Sequence, residues 1–312
     1  MTSEVSVPDV NEQPSVDVVI ATHNRPELLR LALEAVLGQT YTGQINCIVV
    51  FDRSEPDHSL AGERENRSVR VVTNQRTGGL AGARNTGILA GAGDLVAFCD
   101  DDDEWLPEKL ERQMHAMRDA SYLTCVTGII VEYEDRRQPR VPTPESVTLQ
   151  QLVRNRSMEA HPSTVLVRRP ALLDSIGLVD EEIPGSYGED FDWILRAAAA
   201  GPIAVVSEPL VRVRWGQSLF SQNWQVIIDS IDYGFVKHPE FLADRQARAR
   251  LLGRKGFALA SLGRRRPALT TAVRTLRSSA AEKRAYLTIA VALNLVSSER
   301  LMRLAHRRGH GI

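Results

Sequence analysis

Cysteine is scarce in this chain of 312 residues, which contains only three. Cys47, Cys99 and Cys125 lie in separate apolar runs, with no CxxC pair and no spacing typical of a metal site. This pattern disfavours a disulfide framework or a zinc site and favours free thiols in a reducing compartment. We therefore expect a cytoplasmic protein.

Long apolar runs and targeting signals are also lacking. The first fifteen residues contain no Lys or Arg and no apolar core, so the sequence predicts neither a signal peptide nor an N-terminal anchor. The longest late apolar stretch, AYLTIAVALNLV at 285–296, is too short to span a bilayer. Any membrane contact is therefore expected to be peripheral.

Common nucleotide-binding signatures are missing as well. There is no GxxxxGK[ST] phosphate loop, and the first predicted strand runs into ATHNRPELL rather than into GxGxxG. A haloacid-dehalogenase-like phosphotransferase would need an aspartate after that strand, where this chain has Thr22, His23 and Asn24. These absences argue against P-loop, dinucleotide-binding and dehalogenase-like proteins.

The composition that remains is that of an ordinary globular protein with an uneven charge. Hydrophobic residues make up 43% and charged residues 25% of the chain, and the formal net charge is -1. Residues 241–312 hold 16 Lys and Arg against 3 Asp and Glu, whereas the preceding residues hold 22 against 36. An acidic body therefore carries a basic tail.

The body alternates short β-branched runs with stretches of helical spacing, which predicts an α/β fold with a mostly parallel sheet and helices on both faces. After about residue 240 strand patterns stop, and GRKGFALASLGRRRPALTTAVRTL has the spacing of a helical hairpin. We predict a flexible lead (1–15), an α/β domain (16–240, with halves at 16–105 and 106–240) and a basic helical extension (241–312). The predicted strands are VDVVIA (16–21), INCIVVF (45–51), VRVV (69–72), LVAFC (95–99), YLTCVTGIIVEY (122–133), STVLVRR (163–169) and two short strands at 203–206 and 210–215.

Polar segments follow four of these strands, at 22–25, 52–55, 73–79 and 100–105. In a parallel sheet the ligand site lies beyond the carboxyl ends of the strands. We therefore expect the four segments to line one functional cleft.

The last of these segments contains four consecutive aspartates. Asp100 and Asp102 stand at i and i+2, so in extended backbone they would point the same way, and Mg²⁺ and Mn²⁺ prefer such oxygen ligands. The alternative is that acidic residues favour the N-terminus of the helix predicted to open at residue 107. We expect both roles, with the helix-start role falling to Asp101 and Glu104 and with either role open to Asp103.

Four stretches of the chain carry a resemblance to a known family. They are VDVVIATHNRPELLRLALEAVLGQT, IVVFD, GLAGARNTGILAGAGDLVAFCDDDDEWLPEKLE and YGEDFDWILRAA, spread from about residue 16 to about 215. Their order and spacing resemble family 2 glycosyltransferases, which have the GT-A nucleotide-diphospho-sugar transferase fold. The resemblance implies an inverting transferase of cell-wall or polysaccharide biosynthesis. Such an enzyme moves a sugar from a UDP-, GDP- or dTDP-linked donor to an acceptor hydroxyl with the help of Mn²⁺ or Mg²⁺.

The resemblance also implies a donor site. Asp52 would accept a hydrogen bond from the base, Asp100 would face the ribose and the metal, and Asp102 would bind the metal. Asp103 is an additional helper, and a plain surface position is the alternative for Arg84. The nucleotide-binding residues implied are Thr22, His23, Asn24, Arg25, Asp52, Arg84, Asn85, Asp100 and Asp101.

The YGED segment matches the place where the family holds its general base. In inverting transfer a base removes the acceptor proton, and we assign this role to Asp190 in preference to Glu189. The alternative is that the two acids cap the helix FDWILRAAAA.

Acceptor contacts are assigned to Trp105 and His161, although Trp105 suits a packing role beneath the acceptor and a lone histidine is often structural. Many relatives have a histidine near VRVRWGQS, where this chain has Trp215, so the resemblance assigns no metal ligand or phosphate contact to that loop.

The expected partners are a nucleotide-diphospho-sugar donor and a sugar, lipid-linked or small-molecule acceptor. The basic tail either lies against an anionic membrane, is a helical unit for packing or for forming a homodimer, or is a solvated face. Sparse aromatic residues there argue against nucleic acid. Two rival functions are a sugar nucleotidyltransferase, for which ATHNRPE lacks the glycines, and a catalytically silent protein, against which the presence of Asp52, Asp102 and Asp190 argues.

Overall fold

The computed structural model describes residues 13–133, 136–156, 159–214 and 223–307, with side chains to residue 303. Its first half alternates strands and helices as the sequence predicts. The elements are β1 (Val16–Thr22), α1 (Pro26–Leu37), β2 (Ile45–Phe51), β3 (Gly62–Arg64), β4 (Arg67–Thr73), α2 (Leu80–Ala90), β5 (Leu95–Phe98) and β6 (Glu104–Trp105).

The second half of the body contains fewer parallel strands and more loops. Its elements are α3 (Lys109–Ala116), β7 (Thr124–Tyr133), β8 (Arg136–Arg140), α4 (Leu149–Arg154), β9 (Leu166–Arg168), α5 (Glu189–Ala200) and β10 (Ile203–Arg214). A single strand, β10, replaces the two short strands predicted at 203–206 and 210–215. The register against β7 shifts on both sides of Pro209, but the ladder continues past it.

The ten strands form one sheet in the order β3-β4-β2-β1-β5-β9-β7-β10-β6, with β8 paired to β7. The central strands β4, β2, β1 and β5 are parallel, and β7 and β10 are parallel to each other. The short strand β9 runs antiparallel between β5 and β7. The predicted fold class, a largely parallel α/β sheet, is confirmed.

Alternating side chains of β1 show how the sheet is covered. Val19 and Ala21 belong to the core under α2 and α5, whereas Val18 and Ile20 belong to the core under α1 and α3. Successive residues of a strand point to opposite faces, so a fully buried strand needs a continuous apolar run. Helices therefore cover both faces.

The register brings the carboxyl ends of the central strands level with one another. Thr22 pairs with Phe51, and Phe51 pairs with Thr73, so the segments that follow β1, β2 and β4 begin at the same edge of the sheet. The loop after β5 reaches the same edge, because Thr22 Oγ1 at the end of β1 donates to the Asp101 carboxylate.

The tail is helical, as predicted. It comprises α6 (Trp224–Lys237), α7 (Glu240–Ala243), α8 (Arg245–Ser261), α9 (Arg265–Ser278), α10 (Lys283–Ala292) and α11 (Ser298–Arg307). The predicted helical hairpin is formed by α8 and α9, which pack against each other and against α10. In the described part of the chain, no helix combines the length and the apolar character that crossing a membrane requires. The domain boundaries at residues 16, 106 and 241 stay predictions.

Candidate active site

Asp52 is fixed immediately after β2, where the ends of the parallel strands meet. Its carboxylate accepts hydrogen bonds from Asn74 Nδ2 at 2.8 Å and from the Gly79 N–H at 3.0 Å. The Asp52 carbonyl lies 2.7 Å from His23 Nδ1. Asp52 is 9% exposed, so the carboxylate is held rigidly at the edge of the cleft.

The four aspartates lie in a tight loop, which is held by Thr22 at the end of β1 and by Arg25 shortly after it. Asp101 accepts from Thr22 Oγ1 at 2.8 Å and from Arg25 Nη1 at 3.1 Å, and the same Arg25 nitrogen reaches Asp102 at 2.7 Å. Burial raises the pKa of Asp102, and Asp100 and Asp101 raise it further, whereas Arg25 acts in the opposite direction. Arg25 therefore offsets part of the repulsion in the loop.

The predicted helix-start role of the acidic loop is wrong. Helix α3 begins at Lys109, after Glu104 and Trp105 have already paired with β10 as the short strand β6. Glu104 forms an ion pair with Arg212, and Asp101 is bound by β1 as described above. Charges act on a helix dipole only within its first turn, and this intervening strand separates the aspartates from α3.

Arg84 joins the aspartate loop to the YGED segment. The side chain extends from α2, is 3% exposed, and donates to Asp100 Oδ1 and to Glu189 Oε1, both at 2.6 Å. Burial lowers the pKa of Arg84, but the two carboxylates outweigh this and the net pKa is raised. The alternative that Arg84 is a plain surface residue is wrong. Through Arg84, one site contains both Asp100 and Glu189, which are 89 positions apart in sequence.

A cluster of three possible metal ligands lies beside Arg84. One carboxylate oxygen each from Asp100 and Asp103 and a ring nitrogen of His161 all lie within 4.8 Å of one another. Asp103 is 3% exposed and accepts from Ser163 Oγ at 2.5 Å. Burial and then Asp100 raise the pKa of Asp103, whereas burial lowers the pKa of His161 and favours the neutral ring.

This cluster differs from the predicted ligand pair Asp100 and Asp102. Asp102 turns to Arg25, and Asp103 and His161 stand beside Asp100 instead. Antiparallel pairing of β9 with β5 is the reason, since it brings the segment before β9 alongside the aspartate loop. His161 was assigned to the acceptor, and Ser163 was not identified from the sequence. No local pattern marks either, because the pairing joins segments about 60 residues apart.

Glu189 and Asp190 begin α5, directly after Gly188, which adopts a left-handed conformation with φ 88°. The N-cap residue is Gly188 rather than either acid, and Glu189 and Asp190 lie in the first turn of the helix. The two carboxylates have different surroundings. Glu189 is 4% exposed and held by Arg84, whereas Asp190 is half-buried and paired with Arg156.

The pKa values of the two acids diverge accordingly. Burial raises the pKa of Glu189 to about 7, although Arg84 opposes the change. Burial acts in the same direction on Asp190, but Arg156 and then Arg84 outweigh it and the net pKa is lowered. Asp190 is therefore ionised at neutral pH and the more accessible of the two. A cavity of about 300 Å³ lies against both acids, Arg84 and Pro162.

Two other assigned residues lie away from this cleft. Asn85 is 1% exposed, and its side chain donates a hydrogen bond to the Val179 carbonyl and accepts one from the Val179 N–H. It also donates to the carboxylate of Glu181, so it fixes that loop rather than facing the cleft. Trp105 is 2% exposed, with Lys109 Nζ 3.7 Å from its ring centroid. The acceptor assignment of Trp105 is not supported, and the packing role fits.

The remaining assignments divide between the cleft and the undescribed residues. His23 and Asn24 follow β1 and are exposed. Trp215 lies outside the described residues. Arg156 and Arg84 both contact the YGED acids, and of these only Arg84 was identified from the sequence.

Comparisons with known proteins agree with this fold. The family model described as "Glycosyl transferase family 2" matches residues 17–174. In solved structures, S. aureus TarS 1-349 in complex with UDP superposes with a TM-score of 0.57 at 17% identity, over 90% of this chain and 91% of that one. The mannosyltransferase PcManGT from Pyrobaculum calidifontis, in complex with GDP-Man and Mn²⁺, gives 0.53 at 17% identity, over 95% and 84%.

These likenesses define a glycosyltransferase of the GT-A fold. The chain belongs to glycosyltransferase family 2. Among curated relatives, WfgD of Escherichia coli is named a UDP-Glc:alpha-D-GlcNAc-diphosphoundecaprenol beta-1,3-glucosyltransferase. It is 25% identical over 234 residues, which cover 72% of this chain and 87% of the relative. YwdF of Bacillus subtilis (strain 168), an uncharacterized glycosyltransferase, is 27% identical over 59% of this chain and 68% of the relative.

Proposed function

We propose that this glycosyltransferase moves a sugar from a nucleotide-diphosphate donor to an acceptor hydroxyl with inversion, and that Asp190 is the general base. The observation that carries the proposal is the position of Arg84, which holds Asp100 of the aspartate loop and Glu189 of the YGED segment at 2.6 Å each. Donor-side and acceptor-side acids thereby face the same small volume, as direct transfer between two bound substrates requires.

The donor nucleotide is proposed to bind at the level ends of β1, β2 and β4. Asp52 is fixed there by two hydrogen bonds, and a carboxylate in that position can accept a hydrogen bond from a base N–H. His23, Asn24 and Arg25 follow β1, and their ring, amide and guanidinium groups suit contacts with the base and the phosphates. One structural neighbour is a complex with UDP and another is a complex with GDP-Man, so we propose UDP-, GDP- or dTDP-sugars as donors.

The residues present fit a divalent cation. Asp100, Asp103 and His161 offer two oxygens and one nitrogen within 4.8 Å, and the raised pKa of Asp103 reflects burial and the repulsion of Asp100, which a cation would relieve. Asp102 adds a third acid beside the cluster. A bound Mn²⁺ or Mg²⁺ would supply charge neutralisation for the departing diphosphate. Ser163 holds Asp103 in place by its hydroxyl.

Asp190 is the better base because of its ionisation and access. Its pKa is lowered and its side chain is half-buried, so the carboxylate is free of a proton and open to an acceptor. Glu189 is enclosed by Arg84 and its pKa rises to about 7. In the reaction, Asp190 takes the proton of the acceptor hydroxyl as the hydroxyl oxygen attacks the anomeric carbon and the nucleoside diphosphate leaves.

The acceptor is proposed to be a sugar carried on a lipid diphosphate, in a pathway of polysaccharide synthesis. The names of WfgD and WfaP of Escherichia coli both give such an acceptor. TuaG of Bacillus subtilis (strain 168) is named a putative teichuronic acid biosynthesis glycosyltransferase. A sugar or small-molecule acceptor is the alternative outcome of an acceptor screen.

Replacing Asp190 by Asn tests the proposal. We expect D190N to lower the transfer rate by about 10²- to 10⁴-fold, the usual contribution of general-base catalysis, while calorimetry shows unchanged binding of UDP, GDP or dTDP in the presence of Mn²⁺. The control is Asp174→Asn, which makes the same change at an exposed position. Transfer by D190N at the wild-type rate would assign the base elsewhere. Failure of the wild-type protein to bind any of the three nucleotides would overturn the donor proposal.

A further inference from the structure

A second cavity lies between the start of α5 and the C-terminal helices α6 to α8. It encloses about 620 Å³, part of it open to solvent, and it adjoins Gly188 and Tyr187 of the YGED segment. Much of its wall is apolar, formed by Ile183, Phe191, Leu195, Ile231, Phe241 and Leu251. The cavity is therefore placed directly beside the proposed base, and residues of α6, α7 and α8 form its far wall.

Three arginines converge on this cavity. The guanidinium carbons of Arg156 and Arg250 lie 5.6 and 5.7 Å from the centroid of the same Phe191 ring. The guanidinium of Arg254 lies 5.7 Å from the Tyr187 ring and donates to the Tyr187 hydroxyl. All three side chains line the cavity, and two of them come from α8.

Carboxylates do not balance this charge. Arg156 is paired with Asp190, whereas within the described ranges no carboxylate oxygen lies within 4.0 Å of a nitrogen of Arg250 or Arg254. Arg250 instead donates to two backbone carbonyls at 3.1 Å. Among the described residues that line the cavity, Asp192 alone has a carboxylate.

The charge of Asp192 is itself already compensated. Lys237 Nζ and His238 Nε2 lie 2.7 and 2.8 Å from its Oδ1, and Arg196 Nη2 lies 2.8 Å from its Oδ2. Burial, and after it the neighbouring Arg254 and Arg156, lower the pKa of Arg250 to about 10. The cavity thus holds two half-buried arginines, Arg250 and Arg254, whose charges repel each other, an arrangement that an anion would stabilise.

We propose that this cavity binds the phosphate or diphosphate group of the acceptor, with Arg250 and Arg254 as its cations and the apolar walls contacting the group that the phosphate carries. The inference rests on the proposed function, which it deepens by giving the acceptor a place. Arginine suits this role because its planar fork binds phosphate oxygens in pairs. Arg156 spans the distance from this cluster to Asp190, so a phosphate held here sets the acceptor sugar beside the base.

Calorimetry with farnesyl diphosphate, inorganic pyrophosphate and phosphatidylglycerol vesicles as probes tests the proposal. The full chain is used, with the donor site kept occupied by UDP and Mn²⁺. Arg254→Gln removes one charge, Arg254→Lys restores it, and Gly234→Asp adds a carboxylate to the cavity wall while every arginine stays. The control is Arg277→Gln, an exposed arginine of α9 that does not line the cavity.

We expect R254Q to weaken farnesyl diphosphate binding by at least about tenfold, the effect of losing one charge-assisted hydrogen bond. G234D should weaken it as well, because its carboxylate would repel the bound diphosphate. R254K should recover part of the affinity, R277Q should match the wild type, and UDP affinity should stay unchanged in all four. If farnesyl diphosphate binds more tightly than pyrophosphate, the bound phosphate group belongs to a lipid-linked acceptor. If the two bind equally tightly, it belongs to an acceptor without a lipid.

If R254Q and G234D bound farnesyl diphosphate and pyrophosphate with the same affinities as the wild type does, the proposal would be overturned. An Arg254-dependent affinity for vesicles alone would also overturn it, because it would make the cavity a membrane contact. If the wild type did not bind UDP, this result would instead contradict the donor proposal. The change in pyrophosphate affinity on replacing Arg254 could still be measured in that case.

Discussion

At the scale of single residues, Arg84 decides how the active site is assembled. Removing one partner of a buried ion pair typically costs about 3–5 kcal/mol because a charge is left uncompensated. Asp100 and Glu189 are therefore held as firmly as Arg84 itself, which is 3% exposed. This triad, in which Arg84 and Glu189 are buried and Asp100 is half-buried, joins a motif after β5 to a motif at the start of α5.

Lys109 is a second buried charge, located on the other face of the sheet. It is fully buried, donates to Gln113 Oε1 at 2.8 Å and lies over the Trp105 ring. The ring attracts the charged form, but burial outweighs it and lowers the pKa of Lys109 to about 7 from 10.5. Between these two values the unfolded chain binds one more proton here than the folded chain.

The expected consequence is that the free energy of unfolding rises with pH above about 7, by up to about 1.4 kcal/mol per pH unit from this group. Near pH 9 the buried cysteines begin to act in the opposite direction, because their raised pKa values keep them protonated in the folded chain alone. Urea unfolding at pH 7.0 to 8.5 should therefore show the slope in the wild type and lose it in Lys109→Met. The exposed control Lys283→Met should keep it, and equal slopes in all three proteins would contradict the prediction.

At the scale of elements, the close approach of α2 to the loop before it positions Arg84. Gly82 lies in the first turn of α2, and a Cβ placed on it would come within 1.9 Å of the Thr77 carbonyl oxygen. That oxygen belongs to the backbone, so a side-chain rotation cannot relieve the contact. Glycine at this position therefore lets the helix sit where Arg84 can reach both carboxylates.

We expect Gly82→Ala to lower the free energy of unfolding by about 1–3 kcal/mol, the usual cost of overpacking a well-packed site. Transfer should fall more than the loss of folded protein explains, since shifting α2 moves Arg84. The matched control is Gly62→Ala on the edge strand β3, where a Cβ meets no atom within 4 Å. Thermal melts and transfer rates measured on both variants check this, and a G82A enzyme as stable and active as G62A would refute it.

At the scale of the whole molecule, the basic tail is part of the core. Phe241 and Phe257 are buried in the same apolar cluster as Val19 of the central strand and Trp193 of α5. Trp224 meets Phe257 edge to face, with ring centroids 5.7 Å apart. The extension therefore stabilises the sheet as well as forming the wall of the second cavity.

Replacing Phe257 by Ala should accordingly destabilise the whole chain rather than the tail alone. Phe257 is 1% exposed, and truncating a buried phenylalanine costs about 3–5 kcal/mol. We expect one cooperative transition, shifted to lower denaturant, whether unfolding is followed by far-UV circular dichroism or by loss of nucleotide binding. The control is Leu295→Ala, a change at a residue that is 76% exposed. Separate transitions for the tail and for nucleotide binding would show that the extension folds independently.

The sequence predicted the elements of the first half well, because each depends on local periodicity. The strand predicted at 45–51 matches β2, and Pro26 opens α1 as expected. Predictions failed where a distant strand decided the outcome. Residues 104–105 pair with β10 instead of leading directly into a helix, and the register of β10 against β7 carries that strand past Pro209.

By itself, the sequence determined the fold class and the family, because alternating apolar periods and the order of polar motifs are written along the chain. Tertiary structure alone decided which acids work together. The antiparallel pairing of β9 places His161 and Ser163 beside Asp103. Arg84 donates hydrogen bonds to Asp100 and Glu189. Arg250 and Arg254, which read along the chain as a solvated basic tail, face a cavity beside Asp190. The reason is physical: burial and charge pairing depend on contacts between segments far apart in sequence, and no local pattern encodes them.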